Sequence, residues 1–167
     1  MQGRAKVMGH AVHPLLIVFP LGLLSTAVIF DIIYLINGRQ SFALAAAYAM
    51  AAGIIGGLVA AVFGLIDWFG IERGTRAARI GTLHGVGNVV VVALFVVSWL
   101  LRVNGDQWQP SVLALIFSFA GLALAAVTGW LGGELVERLG IGVDEDANPN
   151  APSSLSHSPS GTVMSPR

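Results

Sequence analysis

The chain contains no cysteine. That excludes disulfides, thiolate metal sites, cysteine-ligated iron–sulfur clusters and covalently attached c-type haem. Charge is nearly as scarce: Lys, Arg, Asp and Glu make up 11% of 167 residues, against about 25% in ordinary soluble domains. Nine basic residues balance nine acidic ones. Such a chain is neither a soluble globular domain nor a disordered polypeptide. Its zero net charge also argues against a nucleic-acid binder with a broad basic surface. What fills the space is apolar: AVILMFWYC reach 55%, with 21 glycines besides. The class implied is all-α, an integral membrane bundle with the lipid bilayer as its first partner.

Four stretches are long enough to cross a bilayer, which needs about 20 helical residues. They run over about 14–36, 42–68, 80–101 and 111–133. Asp31 is the one charge in the first, the second has none before Asp67, the third contains His84, and the fourth has none. Strands are not expected in lipid, because an open sheet leaves its edges unsatisfied and a barrel's alternation is missing. Arg4 and Lys6 precede the first apolar run in the manner of a signal peptide. The run continues to Ile36, beyond the 7–15 residues of such a core, so a retained helix is expected. A transmembrane domain over 1–141 is thus followed by a Ser-, Pro- and Asn-rich tail over 142–167, expected to be disordered, with His157 solvated within it.

Orientation is read from Lys and Arg near the span ends. Arg4, Lys6, Arg73, Arg76, Arg79 and Arg138 fall on the N-terminal side, and only Arg39 and Arg102 on the other. Both termini are therefore expected in the cytoplasm of a cell-membrane protein. Small residues at four-residue spacing predict close helix packing: Gly53, Gly57 and Ala61; Gly56, Ala60 and Gly64; Gly121, Ala125, Gly129 and Gly133. The same rows would serve a homo-oligomer. Pro20 deprives the Leu16 carbonyl of its donor and predicts a kink.

Ionisable groups in spans are costly, so each needs an explanation. His13 begins span one, Asp67 ends span two, His84 begins span three and Glu134 ends span four. All four belong to one end of the bundle, with His10 just outside. His13 and Asp31 are 18 residues apart, as are His84 and Arg102. That is five helical turns, or about 27 Å, so each pair shares one helix face. If both histidines look inward, Asp31 and Arg102 also do, and an ion pair between them is expected at the far end. Asn88, one turn from His84, is a natural hydrogen-bond partner for it.

Several readings of the four-residue cluster stand side by side. Two histidines on facing helices at one depth suit the axial positions of a b-type haem. Asp67 would then accept an imidazole N–H, and Gly64, Gly81, Gly85 and Gly87 would leave room for a macrocycle. Alternatively His13, His84, Asp67 and Glu134 hold a divalent metal ion, although no HExxH or Glu-x-x-His spacing is present. A proton or solute path is a third reading, against which stands the lack of mid-span charge in spans two and four. The fourth reading is a structural or partner-binding protein without a cofactor. Then Asp67 would pair with Arg73, Arg76 or Arg79, Glu134 would pair with Arg138, and His13 would cap a helix. Whether the chain is an enzyme is left open.

Gly9-His10-Ala11-Val12-His13-Pro14, Phe19-Pro20, Asp31, Gly64-Leu65-Ile66-Asp67-Trp68 and His84-Gly85 resemble the bacterial membrane family called domain of unknown function 2231. Gly129-Trp130-Leu131-Gly132-Gly133-Glu134-Leu135 resembles the end of many members, and the likeness covers about residues 9 to 141. In that family a His-Pro pair often begins the motif one step earlier, whereas Ala11 follows His10 here. Some relatives join this domain to a Rieske-type iron–sulfur module. The resemblance therefore implies a redox context, and a redox partner protein, without an established activity.

Overall fold

The computed structural model describes residues 4–156; His157 and the rest of the tail lie outside the described residues. A two-residue hairpin, β1 (Lys6–Val7) and β2 (His10–Ala11), precedes the bundle. Its strands pair Lys6 with Ala11 and Val7 with His10. Met8 and Gly9 between them both have positive φ, as a tight two-residue hairpin turn requires. The expectation of no strands concerned the lipid-spanning segments, and this hairpin precedes them.

The first span is α1 (Val12–Leu16) followed by α2 (Val18–Asn37). The break falls at Ile17, where the missing N–H of Pro20 leaves the Leu16 carbonyl without its helical donor. Gly38, in the left-handed conformation with φ 67°, ends α2. α3 (Gln40–Trp68) forms the second span and α4 (Arg76–Val103) the third, with the Thr75 hydroxyl accepting from the Ala78 N–H at its start. α5 (Val112–Gly133) forms the fourth, capped by Ser111 in the same way. One wider turn continues α5 over Glu134–Arg138. All four spans are long and apolar enough to cross a membrane. Residues 142–156 carry turns only, and Lys6 Nζ contacts Asp144 Oδ1 at 2.7 Å.

The centre of the bundle is small. Leu24, Ala27, Val28, Met50, Val91 and Phe95 form its buried apolar cluster. Most other large apolar side chains face outward, as lipid permits and water would not. Glycine sets the closest approaches. A Cβ on Gly53 would stand 2.7 Å from Leu24, and one on Gly121 would stand 2.9 Å from Phe95. Gly129 and Gly133, by contrast, have open space where a Cβ would lie, so the expected small-residue row of the fourth span is used for packing only in part.

At the end of the bundle remote from His13, Arg102 meets Asp31. Its Nη1 donates to Oδ1 at 2.6 Å and its Nη2 to Oδ2 at 2.7 Å. Both side chains are 0% exposed. Nη2 also reaches Ser98 Oγ at 3.3 Å, and Ser118 Oγ donates to Asp31 at 3.3 Å. Bidentate geometry with flanking hydroxyls is what a buried ion pair needs to offset desolvation.

The pair also reveals a repeat. Asp31 and Arg102 are 71 positions apart, and so are His13 and His84, which also face one another. Leu24 against Gly53 recurs as Phe95 against Gly121, the first partner 71 positions later and the glycine 68. The two helical hairpins, residues 12–68 and 76–133, therefore use equivalent contacts. Residues that touch their own equivalents lie on a two-fold axis. Two such pairs at opposite ends place that approximate axis along the bundle.

Removing either partner of the buried pair leaves an uncompensated charge, so Asp31→Ala and Arg102→Ala should each cost about 3–5 kcal/mol. The double mutant should lose clearly less than the sum of the two, measured by reversible unfolding in mixed micelles. Additive losses would show that the two side chains do not act as a pair.

Candidate functional site

His13 lies on the one-turn helix α1, before the Pro20 break, and this short segment leans its ring onto α3. Its Nδ1 is 2.9 Å from the Ala60 carbonyl oxygen. His84, in the third turn of α4, repeats the arrangement against α5, with Nδ1 2.8 Å from the Thr128 carbonyl oxygen. A carbonyl only accepts, so in each neutral ring Nδ1 carries the proton and Nε2 keeps its lone pair. Glycine makes room for both rings one turn beyond the acceptor. A Cβ on Gly64 would lie 2.9 Å from His13 Cε1, and one on Gly132 would lie 3.1 Å from His84 Cε1. The ring centroids are 6.3 Å apart, with planes at 89°.

Asn88 secures His84 further. Its amide nitrogen donates to the His84 carbonyl at 2.8 Å, and its Oδ1 accepts from Thr128 Oγ1 at 3.1 Å. The same amide nitrogen stands 3.4 Å from His84 Nδ1 and 3.3 Å from Nε2. A point so near both nitrogens cannot lie in the ring plane without striking Cε1. The amide therefore covers the ring face and leaves the in-plane lone pair of Nε2 unengaged.

The carboxylates at this end turn to other tasks. Asp67 Oδ1 accepts from the backbone N–H of Arg4 at 2.7 Å and of Ala5 at 3.1 Å, which fastens the N-terminal segment to the end of α3. The imidazole N–H expected to reach Asp67 meets a backbone carbonyl instead, because α3 and α5 each present one directly to the ring. Glu134 pairs with Arg76 at 2.7 Å rather than with Arg138. Arg73 stacks on Trp68, its guanidinium carbon 3.9 Å from the ring centroid. Among the described residues no three of His, Asp and Glu gather as a metal-ligand set. His10 is exposed, with Nδ1 3.2 Å from the Met8 carbonyl oxygen, in the hairpin outside the bundle. Of the glycines expected to leave room beside His84, Gly81 packs on Trp68 and Ile71 and Gly87 on Thr128, while Gly85 faces open space.

Thr128, Gly132 and Ala60 escaped the sequence reading as members of the site. A signal for them existed. Ala60 and Gly64 precede Thr128 and Gly132 by the same 68 positions, which becomes visible once the 71-residue offset of the histidines is taken as a repeat.

Because the Gly64 hydrogen touches a ring already bound to Ala60, Gly64→Ala should push His13 off its carbonyl and lower stability by about 1–3 kcal/mol. Gly133→Ala, with nothing within 4 Å, should leave stability unchanged. Thermal unfolding in one detergent compares the two, and equal midpoints would refute the close fit around His13.

No curated protein and no solved structure matches the chain. The family described as "Predicted membrane protein (DUF2231)" matches residues 9–145, a stretch that holds both histidines, the buried ion pair and all four spans. The chain belongs to that family of membrane proteins.

Proposed function

We propose that His13 and His84 are the two opposed ligands of one metal centre, b-type haem being the group that suits them best, and that the protein is a redox-associated membrane carrier. The observation that carries this reading is the ring separation. A ligating nitrogen lies about 1.1 Å from its ring centroid, and a metal–nitrogen bond is about 2.0–2.1 Å. Two imidazoles on opposite sides of one ion thus have centroids up to about 6.3 Å apart, whereas tetrahedral ligands come near 5 Å. The 6.3 Å in this bundle is the spacing at which two imidazoles would hold one ion between their Nε2 atoms, and the iron of a haem would be such an ion. Fixing Nδ1–H on a backbone carbonyl is the usual way in which a ligating histidine is oriented and made more basic. A bound haem would supply one-electron carriage. The protein's own part is to hold two rings, keep Nε2 bare and place the pair near one end of the bundle.

The divalent-metal reading with Asp67 and Glu134 as further ligands is less well supported, since both carboxylates are engaged with Arg4, Ala5 and Arg76. The surplus of Arg and Lys at the histidine end supports a cytoplasmic location for that end and for both termini. A redox partner protein would then dock there.

Protein purified in mild detergent from haem-replete cells should show a low-spin Soret band with sharp reduced α and β bands. His13→Ala and His84→Ala should each abolish that spectrum or convert it to a five-coordinate form. Wild-type protein without a Soret band and without stoichiometric metal by elemental analysis would overturn the ligand reading and leave a structural or partner-binding role.

A further inference from the structure

The three arginines around the start of α4 differ in what holds them. Arg73 is stacked on Trp68 and Arg76 is paired with Glu134. Arg79 is exposed, and its side chain has no ion-pair or hydrogen-bond partner among the described residues. Beside it is a shallow hollow of about 390 Å³, lined by Ala78, Arg79, Thr82 and Leu83. Thr82 brings no free donor, because its hydroxyl donates to the Ala78 carbonyl at 2.8 Å and accepts from Trp68 Nε1 at 3.1 Å. The hollow thus has one unsatisfied cation at its rim and an otherwise apolar lining.

Its depth identifies the occupant. α4 has 28 residues, or about 42 Å of helix at 1.5 Å per residue. The hydrocarbon core is about 30 Å thick, so roughly four residues at each end of α4 stand in the headgroup layer. Arg79 is the fourth residue of α4 and marks that boundary, while Thr82 and Leu83 lie about one turn deeper. A soluble anion would meet Arg79 alone. A phospholipid meets both parts, its phosphate at the guanidinium and the start of an acyl chain along Ala78 and Leu83. Zwitterionic lipids carry a cation that offsets the phosphate; anionic ones do not. Glu72 is the one carboxylate of the preceding loop, and among its own groups only the backbone carbonyl has a described partner there, Thr75 Oγ1.

We propose that the hollow beside Arg79 is a binding site for one anionic glycerophospholipid, with Arg79 as its headgroup ligand. This proposal is independent of whether the histidine pair holds a cofactor.

The test is native mass spectrometry of the full chain, titrated separately with phosphatidylglycerol, phosphatidylcholine and glycerol phosphate. Wild type should retain phosphatidylglycerol about five-fold better than phosphatidylcholine, the preference that one basic residue near a membrane surface supplies, and should not retain glycerol phosphate. Arg79→Gln should remove that preference and Arg79→Lys should keep most of it. Arg39→Gln, at the opposite end of the bundle, should change nothing. Equal retention of the two lipids by wild type would overturn the proposal, as would an undiminished preference in Arg79→Gln. Retention of glycerol phosphate as strong as that of the lipid would mean an anion site without a lipid and would overturn it equally.

Discussion

Helices immersed in hydrocarbon gain little by touching, since lipid tails are as apolar as leucine. Shape and the few polar groups must therefore decide how these four spans meet, and both are concentrated near the bundle axis. Gly53 and Gly121 let Leu24 and Phe95 sink into the facing helices, where dispersion rewards close fit. Buried polar groups have no water to turn to. Ser98 bonds the Ala114 carbonyl at 2.7 Å, Trp99 Nε1 the Ala47 carbonyl at 3.1 Å, and Arg102 the Asp31 carboxylate. Each of these links joins different helices, so satisfying polarity and assembling the bundle are one process.

The approximate two-fold symmetry explains why so few residues suffice. Repeating a helical hairpin about an axis brings equivalent positions of the two halves together, so a single favourable residue type can act twice. At the histidine end the two equivalents are alike, and two imidazoles face each other. At the other end they are opposite in charge, Asp31 in one hairpin and Arg102 in the other. Two copies of the first hairpin, docked in the same manner, would bury Asp31 against Asp31, and two copies of the second would bury Arg102 against Arg102. Like charges without water repel strongly. The ion pair therefore selects the union of unlike hairpins, a registry role of the kind that buried polar pairs serve best.

Much of this is legible in the sequence. Span number and approximate limits follow from hydropathy and length, because lipid admits few alternatives to the helix. The meeting of Asp31 with Arg102 follows from two 18-residue spacings, since five helical turns return to one face and an unpaired buried charge is prohibitively costly. What escaped was local. The acceptors for His13 and His84 are backbone carbonyls of Ala60 and Thr128, and no side-chain pattern announces a carbonyl. Asp67 and Glu134 share the histidines' depth, yet depth does not determine direction around a helix end. There the chain turns, and nearby backbone N–H groups or Arg76 compete successfully for them. The β1–β2 hairpin rests on a left-handed turn at Met8 and Gly9, a signal too short to rise above the apolar run that follows it.

Symmetry also makes its own departures informative. Counting back by the repeat offsets, the first-hairpin positions equivalent to Asn88 and Thr128 are Ile17 and Ala60. His84 therefore has an amide over its ring face and a hydroxyl behind that amide, whereas at the corresponding positions His13 has an aliphatic chain and a methyl group. The helices differ in the same sense. His84 belongs to the uninterrupted 28-residue α4, while His13 sits on a five-residue segment parted from α2 at Ile17. A short segment joined at a break moves at less cost than a residue inside a continuous, hydrogen-bonded helix. Were the proposed metal centre bound, adjustment of the 6.3 Å gap would fall to His13 and its hairpin-tethered turn, with His84 as the less yielding member. The Asp67 contacts to Arg4 and Ala5 also bear on that turn: they fasten the residues before β1, and the Ala5 carbonyl in turn accepts from the Val12 N–H at the start of α1 at 2.9 Å.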